Sequence, residues 1–294
     1  MKQQRTGGGS FAPRTDLACE AGRPGAESRS RTVTVGSAPV TGTRSRERDG
    51  GRFVTVSCGS LTGREEDIEA LARLLAGEIT ELATLMLGRA PDPSLRVLVA
   101  GLGNDQITPD AVGPRSADHV IATRHLISRS PEFFASWRPV SVLAPGVLGQ
   151  TGVETGEIVR GVLDHVRPRA VIAIDALAAG RLSRLVRTVQ LADTGIVPGS
   201  GVNNARAALD RQTLGVPVLS IGVPTVADGG SLAHEIAQQL DGAQCEALDD
   251  LSQPFIITTR DIDREVADTA RLIGYAVNMA LQHISVEEID LYLS

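Results

Sequence analysis

The run Ala170-Val171-Ile172-Ala173-Ile174, ending on Asp175, constrains this chain more than any other feature. Consecutive apolar residues with no polar face suit a strand buried on both sides. Strands of that kind belong to parallel sheets covered by helices. Val97-Leu98-Val99-Ala100, Val140-Ser141-Val142-Leu143, Val186–Leu191 and Val216–Val223 read as companion strands. Helical spacing predicts a helix from about Pro109 to Leu126, others over 154–166, 230–241 and 261–282, and a short last one near 286–293. Strands alternating with helices predict an α/β fold, a mostly parallel twisted sheet with helices on both faces.

Upstream, Ile68, Leu71, Leu75, Ile79, Leu82 and Met86 recur at helical spacing behind the capping-box pattern Thr62-Gly63-Arg64-Glu65. Gly88, Pro91 and Pro93 end that helix. Two β-prone runs precede it, Thr32–Val35 and Phe53–Val56, and predict a small peripheral antiparallel element with a polar, Arg-rich loop between. Residues 1–31 are rich in Gly, Arg and Ser and lack periodicity, so they read as a flexible N-terminal extension. That leaves 32–294 as a single α/β domain, long enough to bury a real core.

A net charge of −6 argues against charge-driven nucleic-acid binding. Basic charge is almost all arginine, Lys2 being the lone lysine, and the early cluster from Arg23 to Arg52 reads as a solvated tail. Cys19, Cys58 and Cys245 form no CxxC pair, which fits a reducing compartment and argues against a cysteine metal site. The N-terminus has no apolar signal core, and no run reaches the ~18 apolar residues of a membrane helix. The expectation is a cytoplasmic protein with no membrane partner.

Ligands of such sheets sit beyond the carboxyl ends of the strands, near a switch in strand order. There the first strand runs into Gly101-Leu102-Gly103-Asn104, a glycine turn that falls short of GxGxxG because position 106 is Gln. Asp110 follows at a helix start, with Thr108 as N-cap and Pro109 at the first helical position; its bland role is to complement the helix dipole. Gly113-Pro114 so early in a helix suggests close backbone packing. Asp175, after the buried strand, should point into the same crevice; its bland role is to cap a helix beginning at Ala176. Two carboxylates in one cleft split their pKa values, so one acts as base and the other as acid toward a water and a peptide bond. Asp193-Thr194-Gly195 opens a glycine-rich loop through Gly199 and Gly201. It looks like the triplet of pepsin-like enzymes, but only one copy is present, and Asp193 also suits a turn. The histidines show no HExxH, and His125 reads as lying about four turns along the helix that starts at Asp110. There is no GxSxG.

Taken in order, several tracts resemble the germination protease family of endospore-forming bacteria. They are Arg14-Thr15-Asp16-Leu17-Ala18, Gly101–Asn104, Thr108–Pro114, Thr123–Leu126, Pro145–Gly149, Ala173–Ala179, Asp193–Gly201, Thr213–Pro217 and Ile221–Val226. The resemblance implies an endopeptidase that degrades small acid-soluble spore proteins in the germinating spore core. It implies Asp110 and Asp175 as the two essential aspartates, with Gly101, Gly103, Asn104, Asp193, Gly199 and Gly201 in support. It further implies a zymogen that cuts itself between Asp16 and Leu17, and a homotetramer. The fold is similar to that of hydrogenase-maturation endopeptidases, whose aspartates engage a metal, so a divalent metal is a possible cofactor.

The chain departs from the family pattern at Val197, where relatives commonly carry histidine, and at Asn203 and Ala205, which stand for glycine and lysine. The region around 240–255 is shorter than in many relatives. Two other readings are a nucleotide- or small-ligand-binding α/β protein using the glycine turns as a phosphate cradle, and a spore protein that kept the fold without activity.

Overall fold

The computed structural model describes residues 15–20, 27–46, 50–200, 206–230, 232 and 255–294. The helix expected over 230–241 falls largely outside them, as do Gly201, Asn203, Ala205 and Cys245.

The strands are β1 (Glu27–Val35), β2 (Ala38–Arg46), β3 (Arg52–Ser57), β4 (Val97–Gly101), β5 (Val140–Leu143), β6 (Ala170–Ala179), β7 (Thr188–Ala192), β8 (Val218–Asp228) and β9 (Ile256–Ile257). The helices are α1 (Ile68–Leu87), α2 (Val112–Asp118), α3 (Arg124–Arg129), α4 (Leu148–Thr151), α5 (Thr155–Val166), α6 (Arg211–Leu214), α7 (Ile262–Gln282) and α8 (Val286–Leu293). The fold is α/β, as the alternation predicts. The described strands form one sheet in the order β1-β2-β3-β7-β8-β6-β4-β5, with β9 on β8.

This sheet is mixed rather than mostly parallel. β5, β4, β6 and β8 run parallel, whereas β7 joins β8 antiparallel and carries β3, β2 and β1 with it. The peripheral element is therefore continuous with the main sheet. The tract expected as a loop between the β-prone runs is largely β2. There Val40 is buried while Thr41 and Thr43 lie on the opposite face, and Thr32 and Thr41 share a cross-strand hydroxyl contact at 3.0 Å. Polar residues hid a strand whose second face is open to water.

Period-2 alternation sorts the central strands into two cores. Val97, Val99, Ile172, Ile174, Leu219 and Ile221 face the larger cluster, which also takes in residues of α1, α2, α7 and α8. Leu98, Ala100, Val171, Ala173 and Val218 face the smaller one, under Val159 and Leu163 of α5. Helix α1 ends at Gly88 in the left-handed conformation, as its sequence requires. No side chain caps its start: a 3-10 turn, Glu65–Asp67, leads in, and the Thr62 capping box is not formed.

The expected helix from Pro109 to Leu126 is broken. A 3-10 turn at Thr108–Asp110 gives way to α2, and the chain leaves helix at His119 before α3 begins. Asn278 of α7 enforces the break by accepting the Ile121 N–H and donating to the His119 carbonyl. His125 thus belongs to a separate helix from Asp110. Residues 15–20, expected within a flexible extension, pack on the sheet with Leu17 fully buried, and 27–31 are already strand β1.

Candidate active site

Strand β6 lies between β4 and β8, and β4 is flanked by β5 on its other side, so the chain order reverses between β4 and β6. A cleft of about 510 Å3 opens at the carboxyl ends of these strands, and both Asp110 and Asp175 line it.

Asp110 arrives from β4 through the glycine turn. Gly103 sits at φ +113, and a Cβ there would stand 2.1 Å from the Asp110 carbonyl oxygen. Only glycine lets the turn close over Asp110. The Asn104 N–H then donates to Asp110 Oδ2 at 2.7 Å. Asn104 Oδ1 accepts from Gln150 Nε2 at 2.7 Å, so the Pro145–Gly149 tract and α4 brace the turn. Thr108 does not cap a helix; its hydroxyl donates to Asp263 of α7.

Asp175 is inside β6, which continues to Ala179, so no helix starts at Ala176 and Asp175 caps none. It pairs in register with Gly222 of β8, and its Oδ1 accepts the Ala176 N–H. Burial pushes its carboxyl well above the usual carboxylate range, and the charge of Asp110 pushes it further. Burial also raises Asp110, while the Asn104 N–H pulls it back. Asp175 is the member that keeps its proton longer, leaving Asp110 as the ionised partner.

A piece of polypeptide already lies here. Asp16 lines the same cleft; its N–H donates to the Ala178 carbonyl at 3.0 Å, and its Oδ2 accepts the Ala178 N–H at 2.8 Å. The Ser200 hydroxyl donates to Asp16 Oδ1. Further along, Glu20 accepts from the Gly180 N–H and the Thr15 hydroxyl at 2.6 Å each, and pairs with Arg184 at 3.2 Å.

The cleft also brings in Gly103, Asn104 and Gly199. Gly101 does not line it; a Cβ there would stand 2.2 Å from the Gly113 carbonyl oxygen. Asp193 does not line it: its carboxylate is tied to the Arg52 guanidinium at 2.7 Å and backbone N–H at 2.8 Å, joining β3 to β7. Turn chemistry in the sequence did not reveal that partner, 141 residues away. Arg206 and Glu154, an ion pair at 3.4 Å, line the cleft and had no motif to mark them. Gln190 does not line the cleft but holds the main chain of Asp16 and Ala18 beside it; a glutamine amid Val189 and Leu191 is a legible signal of a buried polar contact.

Among the described residues no three His, Cys, Asp or Glu side chains gather as a metal-binding group. Asp110 and Asp175, each already accepting a backbone N–H, fall short by themselves of the ligand set of a zinc centre. The Asn104 N–H that a phosphate cradle would need is spent on a carboxylate, which argues against the nucleotide reading. No helix among the described residues is long and apolar enough to cross a membrane.

Asp110, Asp175 and Asp16 thus share one cleft at a switch point of an α/β sheet. Residues 26–240 match the family model described as Germination protease. The chain is 40% identical over 260 residues to the Germination protease of Caldanaerobacter subterraneus subsp. tengcongensis, covering 79% of this chain and 78% of the relative. It is 35% identical over 274 residues to that of Clostridium acetobutylicum, with 83% of each covered. It is 44% identical over 186 residues to that of Bacillus subtilis, covering 63% of this chain and 50% of the relative. The chain belongs to the germination protease family and is a peptidase.

Proposed function

We propose that this peptidase is an endopeptidase of the germinating spore that cuts small acid-soluble spore proteins, and that it first cuts itself between Asp16 and Leu17. The observation that carries the reading is the meeting of Asp110, Asp175 and the Asp16 segment in one cleft. In the proposed reaction Asp110, ionised, takes a proton from a water molecule. The hydroxide equivalent adds to the carbonyl carbon of the peptide bond. Asp175, which arrives protonated, gives its proton to the leaving nitrogen as the C–N bond breaks, and the proton held by Asp110 resets the pair. The site lies in the cytoplasm of the spore core in this reading, and the assembled form is a homotetramer.

Asp110→Asn and Asp175→Asn should each lower kcat/KM on purified spore proteins by about 10²–10⁴-fold and block self-cleavage. The wild-type rate should survive exhaustive chelation. N-terminal sequencing of active protein should begin at Leu17. Undiminished cleavage by both variants would end the two-carboxylate mechanism; an intact Met1 terminus in active protein would end the self-processing one.

A further inference from the structure

A row of buried polar side chains crosses the sheet from β3 to β6. Thr55 pairs with Gln190, Gln190 with Gly222, and Gly222 with Asp175. Residues directly opposite one another share a face. Thr55, Gln190 and Asp175 therefore point to the side opposite Val54, Val56, Val189 and Leu191, which fill the larger core. At roughly 4.8 Å per strand the row runs about 14 Å; Gly222 adds no side chain of its own, and the Leu177 side chain lies over it, 2.3 Å from where a Cβ would stand. Residues 16–18 lie on this row.

Gln190 is only 7% exposed, so both ends of its amide need partners. Both are main-chain groups of that segment. Its Oε1 accepts the Ala18 N–H at 2.7 Å, and its Nε2 donates to the Asp16 carbonyl at 3.2 Å. One side chain thus grips the backbone on each side of Leu17, whatever the side chains there. Gln282 makes the same two-ended grip on Arg138, but entirely within the fold. The grip of Gln190 is on the segment whose Asp16 lines the cleft.

We infer that Gln190 is a substrate-binding residue of this peptidase, holding the main chain of any bound substrate around the bond that is cut. The inference rests on the proposed Asp16–Leu17 cleavage, since the Asp16 carbonyl is the carbonyl of that bond. Nε2 then donates to the oxygen on which negative charge develops as water adds, and Oε1 fixes the register two residues downstream.

The test uses the full chain and a synthetic peptide copying residues 11–24. In Gln190→Leu both bonds are lost: exchange of the Ala18 amide should rise about ten-fold, and hydrolysis of the peptide should slow about 10–100-fold. In Gln190→Glu the acceptor remains and the donor is gone, so Ala18 should stay protected while hydrolysis is still slow. Val189 and Leu191 amides report whether β7 stays intact. A peptide with an ester replacing the N–H at the Ala18 position should be cut about ten-fold more slowly by the wild type, a readout that needs no variant to fold. If Gln190 merely latched the segment down, Gln190→Leu would clear the cleft and speed hydrolysis of added peptide; equal or faster hydrolysis overturns the inference, as does unchanged Ala18 exchange or an ester cut as fast as the amide. Should Asp110→Asn and Asp175→Asn both still hydrolyse the peptide, the carboxylate mechanism fails by itself and these readouts still judge Gln190.

Discussion

Asp175, beyond the part proposed for it in the chemistry, weighs on the fold. In an unfolded chain its carboxyl ionises near pH 3.9; in the fold, burial and Asp110 raise it well above that. Below the unfolded value both states are protonated and the group is neutral toward stability. As pH rises the unfolded chain ionises first, so stability is lost until the folded value is passed. Asp175→Asn keeps an acceptor for the Ala176 N–H and removes the titration. It should melt higher than wild type at pH 7, with the gap closing toward pH 4; a lower melting point at pH 7 would contradict this account. The same pair predicts a bell-shaped kcat/KM profile, its acid limb set by protonation of Asp110 above the ordinary aspartate range and its alkaline limb by ionisation of Asp175. A single-limbed profile across that range would argue against a shared site. Both aspartates stood out in the sequence because Asp175 closes the apolar run Ala170–Ile174 and Asp110 comes after the glycine turn that ends the run Val97–Ala100. Arg206 was not, since its place depends on a loop returning to the strand ends.

Helix α2 carries Asp110 into position by packing its backbone directly on the sheet. A Cβ on Gly113 would stand 2.1 Å from the Leu102 carbonyl oxygen and 2.5 Å from that of Ile174. Neither backbone can yield without disturbing β4 or β6. Gly113→Ala should therefore cost about 1–3 kcal/mol in denaturant unfolding and lower activity beyond what the stability loss explains, because the turn at 108–110 shifts with the helix. Wild-type activity in a folded Gly113→Ala protein would show that α2 does not set the position of Asp110. The sequence flagged this contact through Gly113-Pro114. It could not show where the helix stops, because Asn278 ends it from 157 residues away. The strand β2 was equally hidden, its outer face carrying the polar residues that elsewhere mark loops.

At the scale of the molecule, the parallel half of the sheet was readable from apolar runs, while the reversal at β7 was not: an antiparallel joint and a parallel one leave the same mark in a strand buried on both faces. Across that joint lies the segment 15–20, moored by Glu20, whose side chain is 4% exposed. Glu20→Ala should leave the amides of β6 and β8 protected up to Ala179 and speed exchange at Leu17, Ala18 and Gly180 about ten-fold or more; unchanged exchange there would mean that the segment is held by other contacts. The anchor has a consequence for any severed form of the chain. Only residues 21–26 separate Glu20 from β1, a leash of at most roughly 25 Å. A terminus freed at Leu17 could not drift into bulk solution, and it would revisit the groove at the millimolar effective concentration typical of short tethers. Foreign polypeptides would then have to outcompete a resident rival, so catalysis would favour targets that are abundant or bind strongly.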